Sequence, residues 1–168
     1  MKIMKSLLLT LLLGAAYTAY PAPPNTNVSD VLGTIKEQMK SFSVSRHNLA
    51  EMRDGLRREK FTDEERARVR DILSTTNAFM ASLDPPLFVG GLVAEMQEPK
   101  DADTVRRTFY ITADHMVTSA DFDLSDVNKH MTGIHNAAAL AQAVRVRDAM
   151  IAIRDTLKAA LANKISHE

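Results

Sequence analysis

Two His-Met pairs are the residues whose side chains best suit metal chemistry. His115 precedes Met116 and His130 precedes Met131, and imidazole and thioether groups are both good ligands for Cu(I). If the pairs lie on consecutive helices joined near residues 123–124, they face each other about two turns from the corner. Two methionines packed in a core, with histidines at its border, explain the same residues without a metal. The chain has no His-x-x-Glu or Glu-x-x-His spacing, so we expect no metal centre and keep a His/Met site as a third hypothesis.

Acidic residues between the two His-Met pairs resemble part of a calcium loop. The oxygen-bearing side chains of Asp121, Asp123, Ser125 and Asp126 lie close together in sequence, but the glycine and the distal glutamate of such a loop are absent. A short corner at residues 121–125 that caps the next helix explains them better.

The motifs of enzymes and of cofactor binding are missing. Asp114, His115 and Ser119 lack a G-x-S-x-G turn, and Gly90-Gly91 is not followed by the Lys-Ser/Thr of a phosphate loop. Glu95 and Glu98 are paired only in sequence, and carboxylates on a loop are usually solvated. The sequence therefore predicts a protein that is not an enzyme and that carries no cofactor.

Composition restricts the class further. The 168 residues suggest one domain, and the 45% apolar fraction is enough for a core. The absence of cysteine excludes a disulfide scaffold and a thiolate metal site. With 21 basic and 21 acidic residues, the chain lacks the basic excess of a nucleic-acid binder.

The first 22 residues have the pattern of a secretory signal peptide. Lys2 and Lys5 precede an apolar run, Leu7–Leu13, and prolines follow at positions 21, 23 and 24. The uncharged stretch from residue 6 to residue 20 is shorter than a spanning helix requires. We expect cleavage after Ala16 or Ala19, no permanent membrane anchor, and a periplasmic or extracellular protein.

Helical spacing of apolar residues dominates the remaining chain, and no window alternates as a strand would. After a linker at 23–28, we expect a bundle domain over 29–165 with Ser29 as the first N-cap. The first helix reaches about Lys60, unless it breaks near residues 41–45. Thr62 and Glu65 form a capping box, and Asp84-Pro85-Pro86 should end the second helix. A third helix over 101–122 and a fourth from 123–125 to about Lys164 complete an all-α, up-and-down bundle of four main helices.

Two groups of residues are candidates for partner binding. An apolar connection over 87–94 places Leu87, Phe88 and Val89 either at an exposed tip that anchors a partner or over the end of the bundle as a seal. A run of arginines at 53, 57 and 58 could face an acidic partner. We therefore expect a protein partner, with an inhibitor, immunity, chaperone-like or effector role. The alternative is a carrier of a hydrophobic ligand or lipid between helices, for which the adaptable methionines are suited.

Export has a direct test in the mass of the chain. Because the signal should be cleaved, the protein recovered outside the cytoplasm should lack roughly 16–19 N-terminal residues when its intact mass is compared with that of the precursor. An exported chain that still begins at Met1 would contradict this prediction.

Overall fold

The computed structural model describes residues 27–55, 61–96 and 99–165, which form four α-helices and no strand. These are α1 (Val28–Arg53), α2 (Asp63–Glu95), α3 (Pro99–Met131) and α4 (Ala137–Ile165). The prediction of an all-α chain with four packed helices is thus confirmed over these ranges. The predicted signal peptide and most of the linker lie outside them. Of the helices described, none has a stretch apolar and long enough to cross a bilayer.

Sequential helices are neighbours in space, and α1 also packs against α4. Arg66 on α2 reaches the end of α1 through a 2.7 Å hydrogen bond to the carbonyl of Arg53. At the other end of the bundle, Gly90 of α2 lies against Leu32 of α1, so these two helices are antiparallel. Gln38 of α1 and Thr156 of α4 hydrogen-bond at 2.9 Å.

The core is almost entirely apolar. Phe42, Phe79 and Phe109 are fully buried, and the rings of Phe42 and Phe79 lie 5.9 Å apart. Each such side chain stabilises the fold by about 1.5–3 kcal/mol relative to an exposed one. In the last helix, the apolar residues at helical spacing predict one buried face, and all of them are buried: Ala143, Val146, Met150, Ile153, Leu157 and Ala160.

The first helix differs from its prediction at its start and end. Asn27 rather than Ser29 is the N-cap, because its side chain accepts the backbone N–H of Ser29 at 2.6 Å. The helix passes through residues 41–45 without a break and ends at Arg53. Ser45 is buried there, and Arg46 donates to the Thr76 hydroxyl of α2 at 3.0 Å. A polar contact between helices thus replaces the missing apolar one.

The second helix does not end at the prolines, and this prediction was wrong. Pro85 and Pro86 lie inside α2, which continues to Glu95, so the predicted apolar connection over 87–94 is helical. Each proline removes a backbone hydrogen bond, at a cost of about 3 kcal/mol or more. Leu83, Pro86 and Gly90 are buried in this segment. Their packing against α1 and α3 maintains the helix where local preference would end it.

The corner expected at residues 121–125 is also wrong, because these residues lie inside α3. Leu124, Val127 and Met131 are buried and continue the helical spacing past the aspartates. Asp121 accepts hydrogen bonds from Arg154 and Lys158 of α4 at 2.9 and 3.3 Å. These contacts between α3 and α4 explain Asp121 without a corner.

The turn between α3 and α4 lies at residues 132–136, so the last helix begins at Ala137 instead of 123–125. Asn136 caps it: its side chain accepts the N–H of Ala139 at 3.0 Å and its carbonyl accepts that of Leu140 at 2.9 Å. Gly133 belongs to this turn, not to the first half of a helix.

One buried carboxylate connects the start of α2 to this turn. Glu65 is 5% exposed and completes the predicted capping box, with Oε2 accepting the Thr62 N–H at 3.0 Å. Its Oε1 accepts the backbone N–H groups of His135 at 2.9 Å and Asn136 at 2.8 Å. The hydrogen bond from Thr62 above all, with those from Asn136 and His135, lowers the pKa of Glu65 although burial opposes this.

Replacing Glu65 should therefore destabilise the whole bundle. At pH 7, Glu65→Gln should lower the free energy of unfolding by about 2–4 kcal/mol, because an amide offers an N–H where backbone donors need an acceptor. The native pKa lies below the ordinary 4.5, so this difference should be complete above pH 4.5 and shrink as pH falls through the native pKa. Urea unfolding across this range measures it.

Glu64→Gln is the matched control. Glu64 is exposed, and its ion pair with Arg68 is long, at 3.6 Å. Its replacement should therefore lower the free energy of unfolding by less than about 1 kcal/mol. Equal losses for the two variants would contradict a special role for Glu65.

Candidate functional site

A line of apolar side chains on the second half of α2 faces solvent. Phe88 is 70% exposed, Leu92 41% and Met96 38%, and their spacing of four places them on one side of the helix. Pro85, one turn earlier, is exposed as well. We name these four residues the α2 stripe.

Packing on the opposite side of α2 determines which residues remain exposed. Gly90 sits so close to its neighbours that a Cβ atom there would lie 2.9 Å from Leu32 and 3.1 Å from Phe109. Leu87 and Val89 are half-buried against the core. Of the three residues predicted for an exposed tip, only Phe88 therefore projects into solvent, and it does so from a regular helix instead of a loop.

A groove between α2 and α3 borders the stripe. Its volume is about 340 Å³, and Pro85 belongs to both the stripe and the groove wall. Ser82 and Ser119 share a hydrogen bond of 3.1 Å across it. The lining consists of Ser82, Pro85, Thr112, His115, Met116 and Ser119. The volume is at the lower end of the range for small-molecule pockets, and hydroxyl groups occupy much of the wall.

The groove brings His115 and Ser119 together, two of the residues considered for a triad. Within the described ranges, no hydrogen bond joins His115 to Ser119 or to Ser82. Asp114 is exposed and, as the residue next to His115 on a helix, points about 100° away. A serine nucleophile needs a base within hydrogen-bond reach, so this arrangement favours binding over acyl transfer.

The two His-Met pairs do not face each other, contrary to the expected hairpin. Both lie on α3, about 22 Å apart along its axis for fifteen residues. Met116 and Met131 are buried in the core. Among the residues that the structure describes, no group of three or more His, Cys, Asp or Glu side chains is arranged to hold a metal ion.

His130 instead lies between two carboxylates. Its Nδ1 is 3.5 Å from Asp71 of α2, and its Nε2 is 3.5 Å from Asp126, one turn earlier on α3. Thr75 donates to the other oxygen of Asp126 at 2.9 Å. The cluster was not predicted from the sequence. The spacing of Asp126 and His130 by four residues does indicate that these two side chains are neighbours on a helix. Asp71 could be placed there only by the packing of α2 on α3.

Arg53, one of the three arginine candidates, lies far from the stripe. Arg53 is at the end of α1, where its guanidinium donates to Asp54 at 2.7 and 3.0 Å, and Arg57 and Arg58 lie outside the described residues. Arg66 of α2 contacts the Arg53 carbonyl, and 22 residues of α2 separate Arg66 from Phe88. At 1.5 Å per residue this is roughly 33 Å, so Arg53 and Phe88 are at opposite ends of the bundle. Glu98 lies outside the described residues, and Glu95 is exposed at the end of α2.

Comparison of the chain with protein-family models, curated proteins and solved structures found no match. Its function must therefore be inferred from its own residues.

Replacing either of two aspartates on α3 by asparagine should change the stability of the fold in opposite directions. Burial above all, and then the charge of Asp126, raises the pKa of Asp123, whose Oδ2 is buried without a partner. Burial also acts on Asp121, but hydrogen bonds from Arg154 and Lys158 outweigh it and lower its pKa. At pH 7, Asp123→Asn should raise the melting temperature, and Asp121→Asn should lower the stability by about 0.5–1 kcal/mol.

The pH dependence of stability should show that ionised Asp123 destabilises the fold. Its native pKa is above the ordinary 3.8, so its ionised form costs stability as pH rises past that value. The advantage of Asp123→Asn should therefore vanish below about pH 3.8 in thermal melts. A variant that is less stable than wild type at pH 7 would contradict the interpretation.

Proposed function

We propose that this chain is an exported helical bundle that binds another protein through the α2 stripe and catalyses no reaction. The observation that carries this proposal is the position of Phe88, 70% exposed on a regular helix in line with Leu92 and Met96. Exposed aromatic and long apolar side chains in a contiguous patch are typical of interaction sites.

The exposure of the other phenylalanines supports the α2 stripe as the binding surface. Phe42, Phe79 and Phe109 are fully buried, whereas Phe88 and Phe122 are exposed. The exposure of Phe122 is 74%, and the residues four after and three before it on its helix, Asp126 and Ser119, are polar. Phe88 has Leu92 and Pro85 at the corresponding positions, and only Phe88 therefore belongs to an extended apolar surface.

A carrier of a hydrophobic ligand would need an enclosed apolar cavity between the helices. The described core is filled by fully buried side chains such as Phe79, Met116 and Met150. The groove beside the stripe is open, and three hydroxyl groups and an imidazole line it together with Pro85 and Met116. Both observations favour an interaction module over a carrier, and the signal-peptide pattern favours a partner in the periplasm or outside the cell.

Phe88→Asp tests the proposal, with Phe122→Asp as its matched control. We expect Phe88→Asp to abolish capture of the partner while the free energy of unfolding changes by less than about 1 kcal/mol, because the side chain has little packing to lose. Phe122→Asp places the same charge on another exposed phenylalanine and should leave capture intact. Affinity capture with the three tagged proteins, followed by titration of the purified partner, measures binding, and urea unfolding measures stability.

A loss of several kcal/mol in Phe88→Asp would show that Phe88 seals the core. Equal capture by both variants would place the interaction elsewhere on the bundle. Either result would contradict the proposed function.

A further inference from the structure

The second half of α2 carries charges of one sign. From Asp71 to Glu95, α2 contains no Lys, Arg or His, although it contains the acidic residues Asp71, Asp84 and Glu95. Asp84 and Glu95 are both exposed. They lie four residues before and seven residues after Phe88, so helical spacing places them on its side of the helix.

The prolines add acceptors to the same region. Pro85 and Pro86 have no N–H, so the carbonyls of Ala81 and Ser82 lack the donors that an ordinary helix would supply from those positions. Ser82 lines the groove that borders the stripe. On α3, the guanidinium of Arg106 is paired with Asp103 at 2.9 Å, and Arg107 and His115 are exposed as well.

We infer that the segment recognised by the stripe is an amphipathic helix whose apolar face is flanked by lysines or arginines; this inference rests on the proposed function. The apolar face would cover Phe88, Leu92 and Met96. The cationic groups would pair with Asp84 and Glu95 and donate to carbonyls left without helical donors. The stripe spans the twelve residues from Pro85 to Met96, whose eleven helical rises cover about 17 Å, which corresponds to three turns of a partner helix.

Two designed helical peptides of four turns test the sign of the charge. They carry identical leucine faces, one flanked by lysines and the other by glutamates, and fluorescence anisotropy measures their binding to the full chain. We expect the lysine peptide to bind at least tenfold more tightly in 50 mM NaCl, with a preference that decreases in 500 mM NaCl because salt screens exposed charges. Phe88→Asp should abolish its binding.

A double variant isolates the contribution of the flanking acids. Asp84→Asn with Glu95→Gln should reduce the preference for the lysine peptide at least threefold. The control is Glu37→Gln with Glu64→Gln, which removes two exposed carboxylates from α1 and the start of α2. It changes the net charge equally and should leave the preference within twofold.

The outcomes separate this inference from the proposed function. Equal binding of both peptides, lost in Phe88→Asp, would retain an apolar docking site and overturn the basic partner. Lysine-peptide binding that survives Phe88→Asp would indicate non-specific charge attraction and would also overturn it. Absence of binding by either peptide would overturn the basic helix, and so would a dimer of the chain that Phe88→Asp dissociates. In either case, the capture experiment with Phe88→Asp would still test the proposed function.

Discussion

The carboxylate of Glu65 is the constraint on which the geometry of one end of the bundle depends. It accepts the N–H of Thr62 at the start of α2 and the N–H groups of His135 and Asn136 before α4. Burying a charge is costly unless hydrogen bonds compensate it, so these donors and this acceptor require one another. Arg66, the next residue, binds the last carbonyl of α1. Two adjacent side chains thereby connect three helix ends.

The opposite end is organised by close packing instead of hydrogen bonds. Gly90 lets α2 approach Leu32 of α1 and Phe109 of α3, and this contact favours helical backbone where two prolines disfavour it. The same contact determines which side of the segment is exposed. Burial of Leu83, Pro86 and Gly90 leaves Phe88 and Leu92 facing solvent, so the candidate docking surface is a direct consequence of how α2 packs.

Local signals in the sequence predicted some features well and misplaced others. The Thr62–Glu65 box and the apolar stripe of α4 were identified from spacing alone, because capping and helical periodicity act within a few residues. The ends of α2 and α3 were misplaced because Asp-Pro-Pro and the aspartates near 121 are strong local stop signals. The packing of Gly90 against Leu32 and Phe109 opposes the proline signal, and the pairing of Arg154 with Asp121 opposes the signal of the aspartates. These partners are remote in sequence from the residues that they hold in a helix.

The sequence by itself determined that residues 27–55, 61–96 and 99–165 form four helices, that the chain has no cysteine chemistry, and that Phe88 belongs to a short apolar segment. Those properties follow from composition and from periodicity within single helices. Only the tertiary structure decided that the segment is helical, that Phe88 projects while Leu87 and Val89 pack inward, and that Asp71 meets His130. The reason is physical: the free energy that holds proline in a helix, or an aspartate beside a distant histidine, comes from contacts between helices.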